Sequence, residues 1–240
     1  MWSALQLRYD ALRLSANRTG ITDSAIQAVK TRFFTQKNNC WIADEGFWKP
    51  MGIVLGYPFP DFLIQHFLTI RHQILEMLNL SSTEYWLQQA EHFHTTIQSY
   101  SHYTERGFNP RIIFPGDELP KAQQIMTAFS PITLIYQGIL ITADGSILAT
   151  GFLENNDLFS LREQLKKTIL GITQRDFNIA HCKIGQLLIP LSSEKVTAIN
   201  DAFSSLPIGE CVFQFATACR GEKLYFASTN TKSSDTFSLS

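Results

Sequence analysis

The sequence predicts an α+β fold of two similar lobes, with antiparallel sheets flanking a central groove and a helical extension at the N-terminus. From about residue 51 the apolar pattern runs strand, helix, strand, helix and hairpin, and then helix, strand, helix and hairpin. One strand in each half carries a histidine, His94 in the first and His181 in the second. The layout therefore indicates an internal duplication in the order of elements rather than in the residues.

Composition excludes several classes of protein. The chain has 240 residues, of which 45% are hydrophobic and 17% charged, which suits a globular protein with a sizeable core. Its net charge of −1 argues against coating long nucleic acid by charge alone, although a small phosphate ligand remains compatible. The cysteines show neither paired nor zinc-like spacing, so each is expected to be reduced and buried: Cys40, Cys182, Cys211 and Cys219.

No apolar run approaches the roughly 18–20 residues that span a bilayer, and the N-terminus lacks the pattern of a signal peptide. A cytoplasmic protein with no membrane partner is therefore expected. The first segment, 1–49, contains two amphipathic stretches, with Thr22 or Asp23 as the N-cap of the second. We expect this helical extension to pack on the main domain, 50–230, and the final residues, 231–240, to form a flexible tail.

The first half of the main domain begins with a buried strand, MGIVLGYPF, and a helix that starts at an Asp cap, DFLIQHFLTIRHQILEMLN. A strand containing AEHFHTTIQSY follows. The half closes with a helix, GDELPKAQQIMTAFS, and a hairpin that turns at ADG, PITLIYQGILITADGSILATGFL.

The second half begins with a helix capped by Asn or Asp, NDLFSLREQLKKTIL, and continues with the strand FNIAHCKIGQLLIPL. A helix that opens on Ser follows, SSEKVTAINDAFSSL. The half is predicted to end in a hairpin that turns at RGEK, GECVFQFATACRGEKLYFAS.

Alternate side chains of a strand share one face, which sorts the residues of both histidine strands. In the first strand the polar face would carry His92, His94, Thr96, Gln98, Tyr100, His102 and Thr104, and the core face Phe93, Thr95 and Ile97. In the second strand His181 and Lys183 share a face, backed by Ala180, Cys182 and Ile184. Each strand thus presents a histidine and, two positions later, a residue able to hold an anion.

These motifs resemble those of the two-histidine (2H) phosphoesterases, which include the bacterial 2′-5′ RNA ligase-like proteins. The hallmark of that family is a pair of H-x-T/S motifs, each in a strand bordered by hydrophobic residues. FHTTI fits well, whereas AHCKIG keeps the histidine and the following glycine but has Lys183 in place of Thr or Ser. Gln186 stands where Arg is frequent. The resemblance covers roughly three quarters of the chain, from about residue 51 to 228.

The resemblance implies a metal-independent phosphodiesterase that acts on a 2′,3′-cyclic phosphate or a 2′-5′ linkage. One histidine would act as base and the other as acid, because the unperturbed pKa of imidazole is about 6.5. Thr96 and Lys183 would hold phosphate oxygens. Since Lys183 should disfavour protonated His181, His181 is assigned as the base and His94 as the acid. The scheme requires no metal and no cofactor.

Other interpretations remain open. Tyr100 and Tyr103 could stack on a nucleobase or simply pack. His92 and His94 could bind zinc together with His102 or His181. A catalytically impaired member could bind a nucleotide or a partner in the same groove, or the two motif histidines could merely form hydrogen bonds within a sheet. The expected substrate is a nucleotide or RNA end selected by loops such as 101–118, and the oligomeric state stays open.

Overall fold

The computed structural model describes residues 2–43, 51–56, 58–99, 103–104, 107–108, 118–168, 178–220 and 236–239. The helices are α1 (Trp2–Thr19), α2 (Asp23–Phe33), α3 (Asp61–Leu78), α4 (Glu118–Met126), α5 (Asp157–Thr168) and α6 (Ser193–Phe203), and Ala90–His92 form a 3-10 turn. The strands are β1 (Phe34–Lys37), β2 (Cys40–Ala43), β3 (Met51–Leu55), β4 (Tyr85–Leu87), β5 (Thr95–Ser99), β6 (Tyr103–Thr104), β7 (Gly107–Phe108), β8 (Ile132–Ile141), β9 (Ser146–Leu153), β10 (Ala180–Leu187), β11 (Pro207–Phe213), β12 (Phe215–Arg220) and β13 (Thr236–Ser238).

Nine of the described strands form one antiparallel sheet in the order β11-β8-β9-β10-β5-β3-β12-β13, with β4 paired to β10. The two motif strands, β5 and β10, are neighbours at the middle of this order. β5 is followed outward by β3, β12 and β13, and β10 by β9, β8 and β11. The predicted α+β fold with a duplicated layout and an N-terminal helical extension is confirmed.

One core connects the sheet to the surrounding helices. α3 buries Leu63, Phe67, Ile70 and Ile74 at helical spacing. The ring of Phe67 packs edge-on against Phe93, at 5.7 Å between centroids, and against Tyr136, at 5.4 Å. Because Phe93 immediately precedes His94, this cluster fixes the chain next to the first motif from the core side.

The N-terminal segment contains more than helices. Thr22 is the N-cap of α2, its side chain accepting a hydrogen bond from the Ala25 amide at 3.2 Å, as the sequence predicts. The predicted helix then gives way to a hairpin, β1–β2, whose turn residues Asn38 and Asn39 have φ of 52° and 59°. Consecutive residues with positive φ form a type I′ turn, which matches the twist of paired strands. The Asn-Asn pair is thus the local signal that the helical interpretation missed.

α1 packs on the main domain through Tyr9, which is fully buried. The Tyr9 hydroxyl donates to the Gly151 carbonyl at 2.8 Å and accepts from the Ala180 amide at 3.1 Å, and it also contacts the Ala180 carbonyl. Gly151 and Ala180 are partners in the β9–β10 ladder. A side chain of the extension therefore closes the end of this ladder, at the residue before His181.

The predicted strand GECVFQFATAC forms two separate strands, β11 and β12, whereas the predicted turn at RGEK continues past Arg220 into residues outside the described part of the chain. β11 pairs with β8 at one edge of the sheet, whereas β12 pairs with β3 and β13 in the other half. The chain separates the two strands at Gln214, whose carbonyl accepts from the amide of Leu239 at 2.9 Å. Two runs of similar apolar pattern cannot show from sequence alone that they belong to different halves.

The C-terminal residues also differ from the expected flexible tail, since β13 pairs with β12 and Leu239 is buried. Asp61 is the first residue of α3 rather than its cap, a position taken by Pro60. α6 does open on a serine cap, Ser192, which accepts from the Lys195 amide. Of the cysteines with described side chains, Cys182 is buried, Cys211 half-buried and Cys40 exposed, so uniform burial was wrong.

Within the part of the chain that the structure describes, no helix combines the length and the apolar character needed to cross a membrane.

Candidate active site

The first histidine lies just before its strand. Ala90–His92 form the 3-10 turn and β5 begins at Thr95, so His94 belongs to the connection between them. The predicted strand that starts near residue 90 is therefore too long at its N-terminal end. His92 consequently does not share the polar face of β5, because a 3-10 turn breaks the two-residue alternation on which that prediction depended.

The register of the sheet brings the two motifs together. Thr95 pairs with Cys182, and in an antiparallel pair the flanking residues face each other in reverse order. Thr96 therefore lies beside His181, and His94 beside Lys183. The two histidines occupy diagonal positions, whose Cα atoms are typically about 7–8 Å apart. The strand pairing thus gathers the predicted motif residues into one square.

Burial shows that the four members of the square share one face. They are all half-buried: His94, Thr96, His181 and Lys183. Their neighbours along the chain are fully buried on the core side: Phe93, Thr95, Ile97, Ala180, Cys182 and Ile184. The predicted alternation holds at these positions. It fails at Gln98, which is buried beyond a register shift in the β3–β5 ladder.

The His94 imidazole is held by the main chain. Its Nδ1 lies 2.8 Å from the His92 carbonyl oxygen, and because a carbonyl only accepts, Nδ1 carries the proton. Nε2 then carries the lone pair. Burial lowers the pKa of His94 to about 4, and the His92 imidazole lowers it further while the bond to the carbonyl opposes the shift. A neutral imidazole of this tautomer is a base, which disfavours the hypothesis that His94 is the acid.

A polar chain on the core side joins the two motif strands. The Thr95 hydroxyl donates to the His181 carbonyl at 3.0 Å and lies 2.6 Å from the Tyr136 hydroxyl. Since the single proton of Thr95 is used in the first bond, Tyr136 must donate in the second. The residue after His94 thereby holds the main chain at His181.

Lys183 does not point along the strand towards His181. Its Nζ donates to Gln186 Oε1 at 2.7 Å and to Ser146 Oγ at 3.1 Å. Burial lowers the pKa of Lys183 to about 7, and the nearby carboxylate of Asp144 opposes this. The ammonium group is therefore directed to the side of the square away from His181, which weakens the reason for assigning His181 as the base.

The cluster around Lys183 was not predicted, although its turn was. Gln186 is fully buried, and its Nε2 donates to the Asp144 carbonyl at 2.6 Å. The ADG turn brings Asp144 and Ser146 to this position. Gly145 has φ of +83°, and a Cβ there would lie 2.6 Å from the Leu187 carbonyl oxygen. Ser146 meets Gln186 through the pairing of β9 with β10, which the turn between β8 and β9 does not specify, so the sequence held no local signal for this cluster.

Two arginines, one from each half, brace the motif strands. Arg162 of α5 is 5% exposed and donates to the carbonyls of Thr96 at 2.6 Å, Ile97 at 2.7 Å and Ile179 at 3.0 Å. Arg71 of α3 donates to the Ile184 carbonyl at 3.4 Å, on the opposite motif strand. Nothing in the spacing of these arginines along the sequence predicted this role.

Several predicted residues lie outside the described part of the chain. Tyr100 and His102 belong to this group, as does most of the loop 101–118, and for Tyr103 only the backbone in β6 is described. Among the described residues, no group of three or more His, Cys, Asp or Glu side chains is placed to hold a metal ion.

Several solved structures share the fold of this sheet and its helices. The crystal structure of TT0787 of Thermus thermophilus is similar with a TM-score of 0.54 at 12% identity, covering 79% of this chain and 97% of that chain. The apo form of LigT from E. coli is similar with a TM-score of 0.51 at 11% identity, covering 81% and 99%. LigT complexed with NADP+ gives 0.50 at 10% identity, covering 80% and 98%.

The predicted resemblance is thus confirmed at the level of the fold. No protein-family model matches the sequence, and no curated protein matches it.

Proposed function

We propose that the protein is a metal-independent phosphodiesterase that acts on a cyclic phosphate, or on a 2′-5′ linked nucleotide or RNA end, through His94 and His181. The observation that carries this proposal is the register of β5 and β10, in which Thr95 pairs with Cys182. That register leaves the two histidines diagonally opposite on one face, at a separation suited to a phosphoryl group between them. The similarity of the fold to LigT supports the same class of reaction.

In this proposal His94 is the general base. Its Nδ1–H is bonded to the His92 carbonyl, and the pKa of about 4 keeps it neutral near pH 7, so Nε2 can accept the proton of the attacking hydroxyl or water. His181, on the diagonal position, would protonate the leaving oxygen. Thr96 would donate its hydroxyl to a nonbridging oxygen of the phosphate. The ammonium of Lys183, on the side of the square away from His181, would add positive charge near the phosphate.

A second function has a specific observation in its favour. The Lys183 ammonium is bonded to Gln186 and Ser146, so the second motif presents its cation away from its own histidine. This arrangement favours a catalytically impaired protein that binds a nucleotide or a partner in the same groove.

Turnover of all four 2′,3′-cyclic nucleotides in the presence of EDTA tests the proposal. We expect hydrolysis by the wild type and a loss of roughly 10²- to 10⁴-fold in His94→Ala and in His181→Ala. His72→Ala is the matched control, because His72 is exposed on α3 and pairs with Glu76 at 3.0 Å. Binding of a cyclic nucleotide without turnover would support the second function. Turnover unchanged in either histidine variant would contradict the proposed mechanism.

A further inference from the structure

We propose that Gln88 is a positioning residue that fixes the orientation and the tautomer of His94 through the carbonyl of His92. The catalytic consequence of this inference rests on the proposed function, because it takes His94 as the base. Its structural content, a defined tautomer set by a specific donor, does not depend on any substrate.

The geometry centres on one oxygen atom. The His92 carbonyl accepts from His94 Nδ1 at 2.8 Å and from Gln88 Nε2 at 3.0 Å. A carbonyl oxygen has two lone pairs, and the two donors occupy both. The Gln88 amide therefore restricts the rotation of the peptide unit that in turn orients the imidazole.

Gln88 is itself firmly anchored. It lies between β4 and the 3-10 turn and is 1% exposed. Its backbone amide donates to the Ile184 carbonyl at 3.3 Å, and its own backbone carbonyl accepts from Arg71 Nη1 at 2.7 Å. Because Ile184 belongs to β10, three residues after His181, Gln88 ties the orientation of the first histidine to the strand of the second.

Removal of the Gln88 donor has a defined consequence. The His92 carbonyl lies at the end of a three-residue turn, and without the side-chain amide it can rotate out of line with His94 Nδ1. The hydrogen bond that keeps the proton of His94 on Nδ1 is then lost. The Nε2–H tautomer, which presents a donor where the proposed base needs a lone pair, becomes populated.

The first test needs no variant of Gln88. Two-bond ¹H–¹⁵N NMR spectra of the histidine-labelled wild type, with the His94 signals identified by their loss in His94→Ala, report the tautomer directly. We expect a single Nδ1–H tautomer for His94 at pH 7. A predominant Nε2–H tautomer in the folded wild type would overturn the inference on its own.

The second test compares neighbouring glutamines. Gln88→Met keeps the length of the side chain but removes the donor, and Gln88→Leu serves the same purpose if the methionine variant does not fold. Gln89→Met is the matched control, because Gln89 is exposed and its side chain makes no capping bond to the 3-10 turn. We expect a mixture of His94 tautomers in the Gln88 variants and the wild-type pattern in Gln89→Met.

Kinetics separate this inference from the proposed function. With a cyclic nucleotide as substrate, the Gln88 variants should lose roughly tenfold to a hundredfold in kcat with KM nearly unchanged. A tautomer change in the Gln88 variants of a wild type that has no turnover would uphold the inference and refute the proposed function. A folded Gln88 variant with the wild-type tautomer and wild-type kcat would refute the inference and leave the proposed function standing.

Discussion

The two histidine segments reach the same face of the sheet by different means. His94 lies in a short connection, and its imidazole is oriented by a hydrogen bond to a carbonyl two residues away. His181 lies inside the eight-residue strand β10, which pairs with β9, β5 and β4. The first histidine is thus fixed through its side chain, and the second mainly through its backbone.

The difference also extends to the residue two positions after each histidine. Thr96 carries a short hydroxyl on the shared face, and its carbonyl is held by Arg162. Lys183 carries a long side chain whose ammonium is bonded to Gln186 and Ser146. The comparison indicates that the first segment orients its histidine through a main-chain carbonyl, whereas the second holds its cation through neighbouring side chains of the sheet.

The largest effect is expected from removing the guanidinium of Arg162, which donates to backbone carbonyls near both histidine segments. Arg162→Met leaves three backbone carbonyls without their charged donor, and we expect the free energy of unfolding to fall by about 3 kcal/mol. Arg71→Met should cost about half as much, since Arg71 is less buried and one of its two carbonyl bonds is long, at 3.4 Å. Urea denaturation of both variants measures the two losses. Equal losses in the free energy of unfolding of the two variants would show that the two arginines stabilise the motif segments to the same extent.

The next prediction contrasts the two groups proposed to hold phosphate. Thr96→Val should lower kcat/KM for a cyclic nucleotide about 100-fold, because a donor placed close to the transferred group is removed. Lys183→Met should lower it less than about tenfold, because its ammonium is directed towards Gln186 and Ser146. Steady-state kinetics on the two variants provide the ratio. A larger loss in Lys183→Met would reverse the comparison.

The square of motif residues could be predicted from the sequence because the alternation of polar and apolar residues is a local pattern. His94, Thr96, His181 and Lys183 share a face as the spacing predicts, and the two segments that carry them belong to different halves. Gln88 could not be predicted in this way, because in the sequence a glutamine before a short turn resembles any other polar residue in a loop.

The direction of the Lys183 side chain was equally hidden. It depends on Ser146, which reaches the lysine only through the pairing of β9 with β10. The separation of β11 from β12 has the same origin, since long-range strand pairing is not encoded in a local pattern. The hidden direction of Lys183 explains why the sequence assigns the acid and base roles in the opposite order to the mechanism proposed here.

A smaller effect is expected from the N-terminal extension, whose Tyr9 contacts the strand of the second segment. Tyr9→Phe keeps the ring but removes the hydroxyl between Gly151 and Ala180, and we expect a loss of about 1–2 kcal/mol in the free energy of unfolding. In histidine NMR spectra the variant should shift the signals of His181 more than those of His94. Unchanged stability, or a larger shift at His94, would count against the difference between the segments.

The smallest predicted effect is the pH dependence that Lys183 confers. Burial lowers its pKa to about 7 in the folded protein, so between pH 7 and about 10 the unfolded chain binds the proton more strongly than the folded one. The stability of the wild type should therefore rise with pH across this range, relative to Lys183→Met. Allowing for partial exposure, we expect about 1 kcal/mol between pH 7 and about 9.5.

Urea denaturation at the two pH values measures this difference. Lys195→Met, at an exposed position of α6, is the control and should follow the wild type. If the free energies of unfolding of the wild type and Lys183→Met differ by the same amount at both pH values, the ammonium of Lys183 is not held as its contacts indicate.

The central claim is that His94 and His181 act on the same bond in one site. Turnover of a 2′,3′-cyclic nucleotide by the His94→Ala/His181→Ala double variant, compared with each single variant, tests it most directly. Groups that act as a unit are not additive, so the double variant should be about as slow as the slower single variant. Rate losses that multiply in the double variant would show that the two histidines act independently and would contradict the account.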